Sequence, residues 1–238
     1  MEEMNSISAL NFIFGPENVI VLDEEEDKHM QCGYIPETWT DLKTDSITVT
    51  NTTAYGINYG LKGMRLSFTQ KREHTFDEDI ELAKKLIRSG SSHRKFLRLA
   101  QIWCDIRAPR YWWTQYDTYR IGTDGVSEST MHSIMSREIT ESDFAEYPFD
   151  GMDRFGWIHP VGGVVSILND YRDEGMFREI IQALPQSYLQ TRTVRISFET
   201  LRKMVEERSN HKLQEWRDFT DWVRRNDYYG LICEGLDV

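Results

Sequence analysis

The stretch from His93 to His132 holds the densest set of side chains able to do chemistry. It runs Ser92-His93-Arg94-Lys95, then Arg107-Ala108-Pro109-Arg110-Tyr111-Trp112-Trp113-Thr114-Gln115-Tyr116-Asp117-Thr118-Tyr119-Arg120, then Ser127-Glu128-Ser129-Thr130-Met131-His132. Aromatic rings interleaved with Arg and Gln suit a planar heterocycle, because rings stack on its faces while an amide and a guanidinium hydrogen-bond its edge. The same pattern also reads as a core helix whose tryptophans pack and whose arginines pair with surplus acids. A second basic group comprises Arg192, Arg195, Arg202, Lys203, Arg208, His211 and Lys212. Arg208 lies among Glu206, Glu207 and Glu215, and an ordinary surface ion pair there is worth at most about 1 kcal/mol. No Ser-His-Asp order, P-loop or H-E-x-x-H motif is present. Gly162-Gly163 precedes a predicted helix and reads as a turn, although helix-start amides also suit a phosphate.

These residues need elements to position them. Ile47–Thr50 and Met64–Phe68 alternate at period two around Gly56, Gly60 and Gly63, which predicts strand, glycine-bearing loop, strand. Thr75 and Glu78 form a capping box, and Ile80, Leu82, Ala83, Leu86 and Ile87 follow at helical spacing until Gly90. Leu97–Ile106 reads as a buried strand. Pro109 then suits the first turn of a helix carrying Tyr111, Trp112, Trp113, Tyr116 and Tyr119, broken by Gly122 and Gly125. A polar loop is predicted through 123–160, one amphipathic helix from Val164 to Leu184 closed by Pro185, and a strand over Thr191–Ser197. Ser197 caps a helix with Leu201, Met204 and Val205 inward, and Trp216, Phe219, Trp222 and Val223 mark a last helix. Residues 1–45 read as a partly irregular segment that includes Phe12-Ile13-Phe14, Val19 to Leu22 and the acidic block Asp23 to Asp27, a solvated loop. With no internal repeat and no long linker, the expectation is a single mixed α and β domain over 1–238.

Composition narrows the function classes. The 238 residues are 39% hydrophobic and 12% aromatic, which excludes a disordered chain. Lys and Arg number 28 against 39 Asp and Glu, and the net charge of −11 argues against a basic nucleic-acid or anionic-lipid surface. Cys32, Cys104 and Cys233 lie far apart, which suggests neither a disulfide framework nor a zinc site. The Met1-Glu2-Glu3-Met4 start has no cationic leader character, and no run of apolar residues is long enough to span a membrane. A cytoplasmic protein is expected.

The order His93, strand, Arg107-Ala108-Pro109, Gln115-x-x-Thr118-Tyr119-Arg120-Ile121, loop and Ser-Glu-Ser resembles the flavin-dependent thymidylate synthases, whose signature is Arg-His-Arg followed by a serine. Leu184-Pro185, a strand, a helix and Arg208 near Gln-Glu-Trp resemble that family's C-terminal half. The resemblance implies an α/β fold with an antiparallel or mixed sheet and packed helices, assembled as a homotetramer with active sites at subunit interfaces. It also implies FAD, with NADPH and methylenetetrahydrofolate as co-substrates, and reductive methylation of the uracil ring of dUMP. Carried over by position, His93, Thr118, Tyr119, Arg120 and Ser197 fall at flavin-binding places. Gln115 and one of Ser127 or Ser129 fall at the nucleotide site. Arg208 matches the arginine that holds the pyrimidine edge and stabilises charge on its carbonyl.

The chain departs from that pattern at identifiable positions. Thr118 and Tyr119 replace the signature's first arginine and its histidine, and Ser197 and Glu199 replace an asparagine and an arginine. Glu199 would repel a flavin pyrophosphate. The family's phosphate-binding arginines fall near Thr130 or Met131 and near Ile181, leaving Arg172, Arg178, His132 or Arg137 as possible partners for a phosphate. Three functions are therefore compatible with the sequence: a dUMP methylase, an enzyme of the same fold acting on another pyrimidine nucleotide, and a binding or structural homologue without flavin.

Overall fold

Strand and helix periodicities sort the described residues onto a sheet with helices packed against it. The computed structural model describes residues 39–66, 74–145 and 160–237. The acidic block Asp23 to Asp27, the apolar runs before it and part of the polar loop lie outside the described residues. Strands β1 (Leu42–Lys43), β2 (Thr48–Tyr55), β3 (Gln101–Pro109), β4 (Thr123–Ser127) and β5 (Leu189–Ser197) form a five-stranded sheet in the order β1-β2-β3-β5-β4. Every neighbouring pair is antiparallel. This is the mixed α and β class expected from the sequence.

In β3, Ile102, Cys104, Ile106 and Ala108 are buried while Trp103 between them is exposed, the alternation of a sheet covered on one face. β3 pairs with β5 along its whole length, from Gln101 opposite Ser197 to Pro109 opposite Leu189. Among the described residues the α-helices are α1 (Ile57–Arg65), α2 (Phe76–Arg88), α3 (Arg110–Tyr116), the short α4 (Thr130–Ser133), α5 (Pro160–Asp173), α6 (Phe177–Ala183), α7 (Phe198–Arg208) and α8 (Gln214–Arg225). Leu201, Met204 and Val205 of α7, Trp216, Phe219, Trp222 and Val223 of α8, and Trp112 of α3 are all fully buried. A second apolar cluster, including Ile134, Phe144, Leu168, Ile180, Leu184 and Tyr188, holds α5 and α6.

Several expectations hold. The Thr75 and Glu78 capping box forms, with Thr75 Oγ1 accepting from Glu78 N and the Glu78 carboxylate accepting from Thr75 N. Pro109 sits at the N-cap of α3, and Ser197 caps α7 by accepting from Thr200 N at 3.3 Å.

Others are corrected. The loop and second strand expected over 56–68 are replaced, as far as the chain is described, by α1, in which Ile57, Leu61 and Met64 are buried on one helical face. Gly60 permits this, because a Cβ there would lie 2.9 Å from the Phe96 carbonyl oxygen and block the helix from approaching. The segment expected as loop from 123 carries β4, paired with β5 from Thr123 opposite Ile196 to Ser127 opposite Arg192. Its residues are almost all exposed, so they show no apolar alternation. The strand expected from Leu97 begins at Gln101, after a 3-10 turn over Lys95–Arg98. The single helix expected over Val164–Leu184 is two, α5 and α6, separated at Gly175 with φ 71°. Gly162 and Gly163 lie inside α5 rather than in a turn before it.

Candidate functional site

α3 presents two adjacent stripes. Trp112, Gln115, Tyr116 and, just past its end, Tyr119 recur at helical spacing on one side. Arg110, Trp113, Thr114 and Asp117 do so on the next.

The first stripe meets α7 and α8. Arg208, on the last turn of α7, donates from Nε to Tyr119 Oη at 2.9 Å and from a terminal nitrogen to Gln115 Oε1 at 3.3 Å. Gln115 Oε1 also accepts from Trp216 Nε1 at 3.1 Å, which fixes the orientation of its amide. The Arg208 guanidinium lies 5.2 Å from the Trp216 ring centroid and 5.6 Å from that of Tyr119, within cation–π range. Tyr119 Oη in turn donates to Glu207 Oε2 at 2.8 Å. Burial pushes the Tyr119 hydroxyl up to about 12; the Arg208 bond pulls it down and Glu207 reinforces the rise. Tyr111 bonds Glu215, and His211 stands edge-on to Trp216. Burial, then the charges of Arg208, Arg217 and Lys212, holds His211 below the usual imidazole range. The ion pair expected between Arg208 and its neighbouring glutamates is not what holds it; an amide, a phenol and two rings do.

The second stripe lines a cleft of about 330 Å³ between α3 and β5. Arg192 of β5 stacks 4.2 Å from the Trp113 ring centroid, donates to Asp117 Oδ1 at 2.7 Å and reaches Gln190 Oε1 from Nε at 3.3 Å. Arg110 contacts the Leu184 carbonyl at 3.3 Å. Thr130, Met131 and Ile181, where the resemblance puts phosphate-binding arginines, line this same cleft.

The remaining residues singled out from sequence scatter. His93 is exposed in the turn after Gly90, and Arg120 is exposed. Thr118 Oγ1 bonds the Gln115 carbonyl at 2.7 Å. Ser127 ends β4, exposed, whereas Ser129 caps α4 with its Oγ 2.6 Å from His132 Nδ1. Ser197 is buried, its Oγ 3.0 Å from Thr200 Oγ1. Arg137 is bound to Asp143 and Arg172 to Asp173, and neither these nor Arg178 and His132 line the cleft. Among the described residues no cluster of His, Cys, Asp or Glu could hold a metal ion, and no helix is long and apolar enough to cross a membrane.

No protein-family model matches the sequence, and no curated protein matches it. Solved structures do. Two structures of ThyX, the flavin-dependent thymidylate synthase of Helicobacter pylori, in complex with FAD and dUMP, superpose with TM-scores of 0.56 and 0.58. The fold is similar to that of the flavin-dependent thymidylate synthases. Identity to the two ThyX structures is 14% and 15%, with 76% and 80% of this chain and 93% and 97% of theirs covered. The UMP/dUMP methylase PolB of Streptomyces cacaoi, bound to 5-Br dUMP, matches with a TM-score of 0.53 at 14% identity, over 76% of this chain and 89% of that one.

The donors present suit a flavin in part. Glu199, at a place where the thymidylate synthase pattern has an arginine, is neutralised by Arg94, whose Nε reaches both carboxylate oxygens at 3.2 and 3.0 Å. His93 and Arg120, at positions where the resemblance puts flavin-binding side chains, are both exposed. Tyr119 and Ser197 commit their hydroxyls to Arg208, Glu207 and the cap of α7.

Proposed function

We propose that this chain binds a pyrimidine nucleotide, with dUMP as the first candidate, and methylates its ring reductively with flavin. The observation that carries this reading is the meeting of Gln115 and Arg208, drawn from α3 and α7, beside the rings of Trp216 and Tyr119. An oriented amide and a fixed cation are what the edge of a uracil requires. Arg208 stabilises charge developing on the ring carbonyl, Gln115 sets the ring's orientation, and Trp216 and Tyr119 keep both in place. Bound flavin supplies the hydride, so no protein nucleophile is required. NADPH and methylenetetrahydrofolate serve as reductant and one-carbon donor, Ser127 or Ser129 contributes to the nucleotide site, and the enzyme works as a cytoplasmic homotetramer. All of this rests on the likeness of fold and on the sequence resemblance.

A visible absorbance spectrum of the full chain, purified without added cofactor and again after FAD is added and the excess removed, tests the reading. Flavin bands that shift on addition of dUMP, followed by tritium release from 5-tritiated dUMP in the presence of NADPH and methylenetetrahydrofolate, are the expected result. A second reading is favoured by the saturation of Tyr119, whose hydroxyl both accepts from Arg208 and donates to Glu207. In it the chain keeps the fold and the nucleotide site without flavin chemistry, and a colourless protein that refuses FAD supports it.

A further inference from the structure

We infer that Glu207 is a positioning residue for Arg208, acting through the Tyr119 hydroxyl. The inference rests on the proposed function in one respect: the ordered guanidinium is the group that meets the pyrimidine. Tyr119 Oη lies 2.9 Å from Arg208 Nε and 2.8 Å from Glu207 Oε2. A guanidinium has no acceptor and an ionised carboxylate has no donor, so only one placement of the single phenolic proton satisfies both contacts. The proton goes to Glu207, and a lone pair goes to Arg208. Glu207 thereby pins the hydroxyl rotor in the one direction that makes Tyr119 an acceptor for Arg208. Two nitrogens of the guanidinium are then held, Nε by Tyr119 and one terminal nitrogen by Gln115, which fixes both the place and the tilt of a planar group. Among the described residues the other terminal nitrogen has no partner, so the fork keeps donors for a ligand edge without rearranging. An arginine ordered in advance loses less entropy when a ligand binds. The rival role for Glu207 is its ion pair with Lys203, one turn earlier on α7. That pair uses the other carboxylate oxygen, Oε1, at 3.8 Å, and its side chains are 62% and 45% exposed, so it contributes little.

The test follows the Arg208 Nε–H signal of the full-length chain by NMR, assigned by its absence in Arg208→Lys, alongside dUMP calorimetry. The expected result is a slowly exchanging signal in the wild type that loses its protection in Glu207→Ala. Glu207→Gln, whose amide oxygen still accepts from Tyr119, should restore it, and Lys203→Gln should leave it unchanged. Affinity for dUMP should fall about 3- to 10-fold in Glu207→Ala and stay within about 2-fold of wild type in Glu207→Gln. Because the route runs through Tyr119, Glu207→Ala should add no further loss in a Tyr119→Phe background. Unchanged protection of Arg208 Nε–H in Glu207→Ala overturns the proposal. So does an affinity loss of undiminished size in the Tyr119→Phe background, which would mean that the Glu207 charge acts without the phenol. If Tyr119→Phe fails to fold, the Ala and Gln variants of Glu207 decide, and equal loss of protection in both overturns the proposal. A wild-type chain with Arg208 ordered through Glu207 but no affinity for dUMP keeps the positioning role and removes the pyrimidine reading.

Discussion

Arg208 Nε and Tyr119 Oη stand 2.9 Å apart, and the same phenol oxygen donates to Glu207 at 2.8 Å. A tyrosine at the place where the resemblance puts a histidine is therefore the partner of the arginine proposed to hold the pyrimidine. Tyr119→Phe removes both bonds and leaves a cation and a carboxylate without their shared partner. Hydrogen bonds to charged groups contribute about 1.5–3 kcal/mol, so urea unfolding should show a loss of that order. Thr118→Arg combined with Tyr119→His should raise FAD affinity, read by fluorescence quenching; unchanged affinity would show that these positions do not face the flavin.

Arg208→Ala should abolish binding of dUMP and cost about 1.5–3 kcal/mol in stability, because it unseats Gln115 and Tyr119 together. Arg208→Lys keeps the charge without the planar fork, and should recover part of the stability but little of the binding. Calorimetry on both variants against a urea series separates the two effects. Full dUMP binding by Arg208→Ala would remove this residue from the site.

The Asp143 carboxyl contributes a pH dependence to stability. Burial works to raise its pKa, but the two-point bond from Arg137 and the Thr140 amide outweigh burial and hold it below the ordinary carboxylate range. Its contribution is therefore fully present above the unfolded value near 3.9 and is lost as pH falls through the lower folded value. Asp143→Asn should be less stable than wild type at pH 6, and the gap should narrow as pH falls from about 4 to about 2. Urea midpoints measured across that range check the slope; a gap that stays constant would refute the assignment.

Thr75→Ala should cost about 1 kcal/mol through loss of the α2 cap and leave ligand affinity untouched. Thermal unfolding and dUMP calorimetry on the same sample give both readings, and a change in affinity would show that α2 reaches the site.

The elements that could be read from sequence were those whose own residues impose a period. α2, α7 and α8 each bury one helical face and two of them begin at capping side chains, so local pattern and tertiary packing agree. β4 was illegible because its residues are exposed and gain strand geometry only from the ladder to β5. α1 was obscured because Gly60 serves a close approach to Phe96, which lies far along the chain. Gln115 and Arg208 stood out by motif, and the structure brings them within hydrogen-bond distance. The cleft did not stand out. Arg110, Trp113 and Asp117 could be seen at helical spacing, but Gln190 and Arg192 belong to a strand whose face is set by β3, and only folding joins the two sets.

All seven positions of α3 are committed. Arg110 and Thr114 face the cleft, Tyr111 bonds Glu215, Trp112 and Tyr116 are buried, Trp113 supports Arg192, and Gln115 holds Arg208 and Trp216. A helix with no spare face has no neutral path along which to drift. Over evolutionary time its seven letters can change only in step with residues on β5, α7 and α8, so substitutions in α3 should be rare when single and tolerated when compensated.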